Sequence, residues 1–96
     1  MPFAIVLAPE AVEDLKRLKA VARGAVKGAM ETHLRHEPEK TSRSRIKRLR
    51  GLSRPQYRLR VGDIRVFYDV AEGVVEVLAI VPKSETAAWL AQFGKL

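Results

Sequence analysis

The stretch Tyr57–Tyr68, YRLRVGDIRVFY, decides the fold because it predicts two β-strands joined by a two-residue turn. Gly62 and Asp63 form that turn: glycine supplies the positive φ that tight hairpin turns require, and aspartate tolerates it. Apolar and basic residues alternate on both sides of the turn, and successive side chains of a strand point to opposite faces of a sheet. The stretch therefore predicts a hairpin with one apolar face and one basic face.

The register around this turn sorts the side chains onto the two faces, with Arg60 directly opposite Arg65. The apolar face, which is expected to pack on helices, holds Tyr57, Leu59, Val61, Ile64, Val66 and Tyr68. The other face, named the arginine face below, holds Arg58, Arg60, Arg65 and Phe67. Opposed arginines repel each other by roughly 0.2–1 kcal/mol. A phosphate between them would turn this repulsion into a clamp, since guanidinium groups match phosphate oxygens.

Two interpretations of the arginine face remain open at this point. In the first, the guanidinium groups bind phosphates and Phe67 offers a nucleic-acid base a surface for stacking. In the second, the face is the polar side of an ordinary amphipathic strand, and Glu76 or Asp69 neutralises the arginines. The alternation of residue types alone is compatible with both.

The chain before the hairpin predicts one strand and two helices. Phe3–Leu7 is a short apolar run suited to a buried strand. Pro9 suits the first position of a helix, and a break is expected at Arg23-Gly24. A second helix follows, and Pro38 ends it near His36. The apolar positions of the two helices are Val12, Leu15, Leu18, Val26, Met30, His33 and Leu34. The pattern predicts a helical hairpin with one apolar side.

The chain after the hairpin predicts a central strand and a last helix. Val74–Val81 is strongly β-prone. With Glu72-Gly73 as the preceding turn, Leu78 is expected beside Phe67 and Ile80 beside Arg65. Ser84 is expected to cap the last helix, whose apolar residues Trp89, Leu90 and Phe93 cover the apolar strip on the arginine face. The predicted fold class is α+β: a small, mainly antiparallel sheet with the helical hairpin on one face and a short C-terminal helix.

Composition narrows the class of protein. Ninety-six residues are enough for one domain with one modest core. The net charge is +7, with 18 Lys and Arg against 11 Asp and Glu, which favours a polyanionic partner such as nucleic acid, an acidic protein or an anionic membrane surface. The chain has no cysteine, which excludes disulfides and thiolate chemistry and fits the reducing cytoplasm. No stretch is apolar for long enough to span a bilayer.

The positive charge is concentrated in the middle of the chain. Between Lys40 and Arg65 the only acid is Asp63, whereas ten residues are basic: Lys40, Arg43, Arg45, Lys47, Arg48, Arg50, Arg54, Arg58, Arg60 and Arg65. Within this run, Ile46–Leu49 is expected to form a short strand held by the core. A patch this dense is typical of an electrostatic footprint for nucleic acid.

The two histidines, His33 and His36, are the residue type that most often transfers protons near neutral pH. They lie three residues apart near the predicted helix end, and the chain has no further His and no Cys. Because possible co-ligands are scarce, a packed or helix-end role is favoured over a metal or catalytic one.

The order of elements, together with YRLRVGDIRVFYDV and VVEVLAIVPKSE, resembles the RelE/ParE superfamily of bacterial toxins. The resemblance covers nearly the whole chain, so residues 1–96 are expected to form a single toxin domain of this superfamily. RelE-like members are ribosome-dependent endoribonucleases, or mRNA interferases, that cut mRNA and inhibit translation. ParE-like members share the fold and inhibit DNA gyrase instead. Both are encoded with an antitoxin that wraps and silences them.

The resemblance also implies which residues act. Arg58, Arg60 and Arg65 match the basic residues that line RelE-like active sites, and Lys83 is the nearby amine able to exchange a proton. The implied contacts to RNA and the ribosome are Lys40, Arg43, Arg45, Lys47, Arg48, Arg50, Arg54 and Phe67. Partners implied are a cognate RelB-like antitoxin and the ribosome with its mRNA and rRNA, with no metal, cofactor or membrane.

The chain departs from the RelE-like pattern in ways that keep other functions open. RelE-like sites often have lysines at the positions of Arg58 and Arg60, an arginine or histidine after the last strand, and a tyrosine in the final segment. Here Ser84 and Leu90 occupy those last two positions. The alternatives are a ParE-like gyrase inhibitor without enzymatic activity and a relic that only binds antitoxin.

Overall fold

The computed structural model describes residues 2–96, which form one five-stranded sheet and three α-helices. The elements are β1 (Ala4–Leu7), α1 (Pro9–Arg17), α2 (Ala20–Leu34), β2 (Ile46–Arg48), β3 (Tyr57–Val61), β4 (Ile64–Ala71), β5 (Val74–Pro82) and α3 (Thr86–Phe93). The strand order is β1-β5-β4-β3-β2, with β1 parallel to β5 and the other neighbours antiparallel. The predicted α+β fold class is confirmed.

The main core lies between the helical hairpin and one face of the sheet. Buried side chains from α1 and α2 include Ala11, Val26 and Leu34. They meet the apolar face of the hairpin, where Leu59 and Tyr68 are fully buried. Tyr68 also donates a buried hydrogen bond of 2.6 Å from its hydroxyl to the carbonyl of Pro38, which ties the segment after α2 to the sheet. The predicted apolar face is thereby confirmed.

The break between the two helices lies at Leu18 and Lys19, so the prediction of a break at Arg23-Gly24 is wrong. Leu18 and Lys19 both have an extended backbone, whereas Gly24 lies inside α2. The guanidinium of Arg23 donates to the carbonyls of Leu15, Lys16 and Leu18 at 3.3, 3.4 and 2.8 Å. These bonds satisfy the carbonyls that the end of α1 leaves free. A long-range side-chain cap therefore ends the helix without a glycine.

The predicted register of the β3–β4 hairpin is confirmed at every pair, including Arg60 with Arg65 and Tyr57 with Tyr68. Gly62 has φ +57°, and Asp63 does not take a positive φ. Only glycine therefore meets the steric demand of the turn, which the sequence had assigned to both residues.

The β4–β5 register follows the prediction from Tyr68 to Ala71, next to the Glu72-Gly73 turn, and differs by one residue from Ile64 to Phe67. Phe67 pairs with Ala79 and Arg65 with Val81, so Leu78 beside Phe67 and Ile80 beside Arg65 are both wrong. A bulge between Phe67 and Tyr68 shifts the pairing, and side chains beyond a bulge change face. Ile80 consequently joins the main core.

The remaining differences lie at the ends of elements. β1 begins at Ala4, β2 ends at Arg48, α2 ends at Leu34 and β5 extends to Pro82. Ser84 does not cap α3, because a turn of 3-10 helix, Lys83–Glu85, comes first and α3 begins at Thr86. Among residues 2–96, no helix is both long and apolar enough to cross a membrane.

Candidate functional site

The arginine face brings four cations together on three neighbouring strands. Arg58 and Arg60 lie on β3 and Arg65 on β4, as predicted. Lys47 on β2 lies directly opposite Arg58. These four residues, Lys47, Arg58, Arg60 and Arg65, are named the cationic cluster below. The sequence predicts Lys47 as a ribosome contact, and the pairing of Ile46 with Leu59 places it on the arginine face.

Arg65 is the buried member of the cluster, with 6% of its surface exposed. Its Nη1 donates to the carbonyls of Gly62 and Ile64 at 2.9 and 3.1 Å, which fixes the guanidinium beside the hairpin turn. Burial, followed by repulsion from Arg58 and Arg60, lowers the pKa of Arg65. Asp63 acts in the opposite direction, but the two neighbouring arginines leave the site with an excess of positive charge. An anion that enters it would replace repulsion with attraction.

Arg58 carries a hydrogen-bond donor with no partner. Its Nε is buried and unbonded, and it is the one such side-chain nitrogen or oxygen found in residues 2–96. A buried donor without an acceptor destabilises the folded protein, and a ligand oxygen that accepts its hydrogen bond removes this cost. Arg60, across from Arg65, is exposed. In the cluster, the guanidinium of Arg65 is held by hydrogen bonds, that of Arg58 has an unpaired donor, and that of Arg60 is exposed.

The nearby carboxylates do not neutralise the cluster. Asp69 and Glu76 instead pair with Arg54, at 3.4 and 3.3 Å. They lie at the end of the arginine face that is remote from the hairpin turn, since Asp69 pairs with Glu76 in the β4–β5 register. The interpretation in which these acids neutralise the arginines is therefore wrong. Arg54 remains exposed beside these two carboxylates, and its contact with RNA stays a prediction.

Phe67 is fully buried, so the prediction that it offers a stacking surface for a base is wrong for this structure. Trp89 of α3 covers it with a ring-centroid distance of 4.9 Å and an angle of 5° between the ring planes. Phe67, Ala79 and Val81 form a second small core with Leu49, Trp89 and Leu90. The predicted cover by Trp89 and Leu90 is confirmed and excludes a base from the Phe67 ring, whereas Phe93 remains half exposed.

Lys83 follows β5 directly and lies beside the hairpin turn. Lys83 is exposed, and its backbone nitrogen donates a hydrogen bond of 2.7 Å to the carbonyl of Asp63. This contact brings a primary amine to the same end of the sheet as Arg60 and Arg65. The catalytic role of Lys83 remains a prediction.

The basic run before β3 is exposed but does not act as one surface. Its exposed members are Lys40, Arg43, Arg45, Lys47, Arg48, Arg50 and Arg54. Lys40 pairs with Glu37 at 3.6 Å. Arg48 lies 5.1 Å from the ring centroid of Tyr57, on the side of the sheet opposite the cluster. The predicted ribosome contacts therefore divide between two faces.

The site offers charge and hydrogen-bond donors rather than metal ligands. In the part of the chain that the structure describes, no three His, Cys, Asp or Glu side chains converge to hold a metal ion. The arrangement suits a phosphodiester, whose oxygens accept from guanidinium and ammonium groups.

The family model described as ParE toxin of the type II toxin-antitoxin system, parDE, matches residues 5–87. The chain therefore belongs to this family, within the RelE/ParE superfamily, and is a toxin of the type II toxin–antitoxin class. Comparison with curated proteins gives no significant match.

Solved structures of RelE-like toxins share the fold. The RelBE2 toxin–antitoxin complex of Mycobacterium tuberculosis matches with a TM-score of 0.73 and 23% identity, over 85% of this chain and 99% of that chain. The RelE–RelB complex of Pyrococcus horikoshii OT3 matches with a TM-score of 0.70 and 24% identity, over 86% of this chain and 97% of that chain. A mutant of the E. coli toxin RelE in the free state matches with a TM-score of 0.68 and 20% identity, over 93% of this chain and 92% of that chain. At these identities the likeness concerns the fold.

Proposed function

We propose that this toxin is a ribosome-dependent endoribonuclease that cuts mRNA in the cytoplasm and thereby inhibits translation. The observation that supports the proposal most strongly is the cationic cluster, in which the buried Nε of Arg58 lacks an acceptor and no carboxylate of residues 2–96 pairs with Arg58, Arg60 or Arg65. A site of this kind fits a phosphodiester whose negative charge grows during reaction.

The reaction is the attack of a ribose 2′-oxygen on the adjacent phosphorus. The new bond joins the 2′-oxygen to phosphorus, and the bond from phosphorus to the 5′-oxygen breaks. The products are a 2′,3′-cyclic phosphate and a 5′-hydroxyl end. In this proposal Arg58, Arg60 and Arg65 stabilise the pentacoordinate phosphorane, because their guanidinium groups stay charged throughout.

Two proton transfers accompany the attack, and arginine suits neither because its guanidinium hardly deprotonates. The 2′-hydroxyl must lose a proton, and the departing 5′-oxygen must gain one. Lys47 faces Arg58 from β2 and Lys83 lies beside the hairpin turn, so we assign the transfers to these two amines. The ribosome positions the mRNA, and orientation of that kind supplies a large part of the rate.

Primer extension on an mRNA translated in vitro tests the proposal. The purified toxin is expected to produce new 5′ ends in phase with codons. These ends should disappear with Arg65→Ala and with Arg60→Ala, whose exposed side chain makes misfolding an improbable cause of the loss. Lys27→Ala is the matched control, since it removes one exposed charge from α2, on the other side of the sheet. Intact mRNA with the wild-type toxin would contradict the proposal, and so would unchanged cleavage by Arg60→Ala and Arg65→Ala.

The second candidate is inhibition of DNA gyrase without catalysis. The matching family model is that of ParE toxins, and Ser84 and Leu90 stand where RelE-like toxins often have an arginine or histidine and a tyrosine. Intact mRNA together with loss of gyrase supercoiling activity would support this candidate over the first.

We further propose a small RelB-like antitoxin as the partner, bound at α3. Phe93 is an exposed apolar residue, with 52% of its surface accessible, and it borders a groove of about 570 Å³ that Leu78 and Trp89 also line. An amphipathic segment fits such a groove. With the product of the adjacent reading frame as the probe, Phe93→Asp should weaken binding. Val21→Asp, which changes an exposed apolar residue of α2, should not.

A further inference from the structure

A second polar groove lies away from the arginine face, between the end of α2 and the loop that leads to β2. Its volume is about 270 Å³, and its lining includes His33, His36, Lys40 and Arg45. The hydroxyls of Thr41 and Ser42 also line it. Four nitrogen-bearing side chains and two hydroxyls thus face a space large enough for a phosphate group with its attached sugar.

The charges of this groove favour an anion. Glu37 is the acid that lines it, and Lys40 offsets Glu37 at 3.6 Å. The ion pairs of residues 2–96 do not include Arg45, which is exposed. Excess positive charge therefore remains even when both histidines are neutral. A cation would meet Arg45 and Lys40, and the described residues hold no cluster of three metal-ligating side chains.

His33 is partly buried in this groove and is affected by the charge of Arg45. Burial and the charge of Arg45 lower its pKa, in that order of importance. The groups that line the groove with it are His36 and Glu37 just after α2, Lys40 and Arg45 in the loop, and the apolar Ile46 of β2. Without a ligand, this environment opposes protonation of His33. An anion in the groove would favour the imidazolium, because opposite charge stabilises the charged form.

A backbone hydrogen bond connects the lining of this groove to a strand that carries the cationic cluster. The carbonyl of Arg45 accepts a hydrogen bond of 2.8 Å from the backbone nitrogen of Arg60. A strand of RNA that passes Arg60 and crosses the edge strand β2 would therefore come next to Arg45. Strands of nucleic acid present phosphates at regular intervals, so two separate phosphate sites along one edge fit a single chain.

We propose that this groove is a second phosphate site for the RNA strand, in which Arg45 and protonated His33 bind a phosphodiester. This second site rests on the proposed function in that its ligand is RNA. It extends that function, because it lies outside the cluster that acts on the scissile phosphate. Binding of the phosphodiester takes up a proton at His33, so RNA should bind more tightly as the pH falls.

NMR titration of the His33 and His36 ring protons in the full-length protein tests this site. The probe is hexauridylate, because neither its bases nor its phosphodiesters titrate between pH 5.5 and 7.5. Saturating hexauridylate is expected to raise the pKa of His33. Affinity should increase by about threefold or more between pH 7.5 and 5.5, as linkage of one proton allows. Arg45→Ala should abolish the shift at His33, whereas Lys27→Ala should preserve it.

The wild-type titration keeps the test independent of how the variants fold. A His33 titration curve that is the same with and without hexauridylate would overturn the proposal, as would an equal shift in the Arg45→Ala protein. The outcome is distinguishable from failure of the proposed nuclease. A protein that leaves mRNA intact while hexauridylate still shifts His33 would retain the phosphate site and lose the nuclease assignment.

Discussion

Arg60 and Arg65 lie directly opposite each other on adjacent strands, and no carboxylate of residues 2–96 forms an ion pair with either. Like charges in directly opposed positions destabilise a sheet. Asp69 and Glu76 do not relieve the repulsion, because both pair with Arg54 instead. The fold therefore maintains an unfavourable pair at the place where an RNA phosphate would make it favourable.

Removal of Arg60 is expected to stabilise the free protein while it impairs function. Arg60→Ala relieves the repulsion with Arg65 and should raise the free energy of unfolding by roughly 0.2–1 kcal/mol. Urea denaturation measures this change, and Arg43→Ala, which removes an exposed loop charge, serves as the control. A clear destabilisation by Arg60→Ala would show that the opposed pair is structural rather than functional.

Phe67 is expected to act through the core and not through contact with RNA. Phe67→Ala deletes a fully buried ring beneath Trp89 and should lower the free energy of unfolding by about 3–5 kcal/mol. Phe93→Ala, which truncates a half-exposed ring of the same helix cover, should have a much smaller effect. Equal losses in the two denaturation curves would contradict the burial of Phe67.

Two glycines should respond to alanine in opposite ways. A Cβ on Gly94 would lie 2.6 Å from the carbonyl oxygen of Leu90, so Gly94→Ala should force the end of α3 to move and lower the melting temperature. Gly28 has open space around its position within α2. Gly28→Ala should therefore stabilise by roughly 0.5–1 kcal/mol. A destabilised Gly28→Ala protein would contradict the open face of α2.

Acid should weaken the folded state through His33. Its pKa is lowered in the folded protein, so the folded state binds fewer protons than the unfolded state. The stabilising effect is complete above the usual histidine pKa of about 6.5 and is lost as the pH falls through the lower, folded value. Arg45→Ala should make this loss smaller, because it removes the second cause of the shift. An equal loss of unfolding free energy between pH 7.5 and 5 in the two proteins would contradict the effect of the Arg45 charge on His33.

Local rules predicted the hairpin and the three arginines well, because alternation and the Gly62 turn are both short-range. They did not predict the bulge after Phe67, which depends on how β5 meets β4 and is not marked by a glycine. They also missed the Arg23 cap and the pairing of Arg54 with Asp69. Both contacts join residues that are distant in sequence or adopt their positions only in the folded chain.

The face of the sheet on which Lys47 lies could not be predicted from the sequence. The basic run supplied many cations, and only the pairing of Ile46 with Leu59 decides that Lys47 shares a face with Arg58. A one-residue change of register would have moved Lys47 to the opposite side. Membership in the cluster is therefore a property of strand pairing.

The salt dependence of RNA binding tests the phosphate contact of the arginine face most directly. The logarithm of the association constant for a single-stranded RNA, plotted against the logarithm of salt concentration, is expected to lose about 0.7 of its slope in Arg60→Ala, as for one lost phosphate contact. Lys27→Ala should keep the wild-type slope. An Arg60→Ala slope identical to wild type would contradict the account.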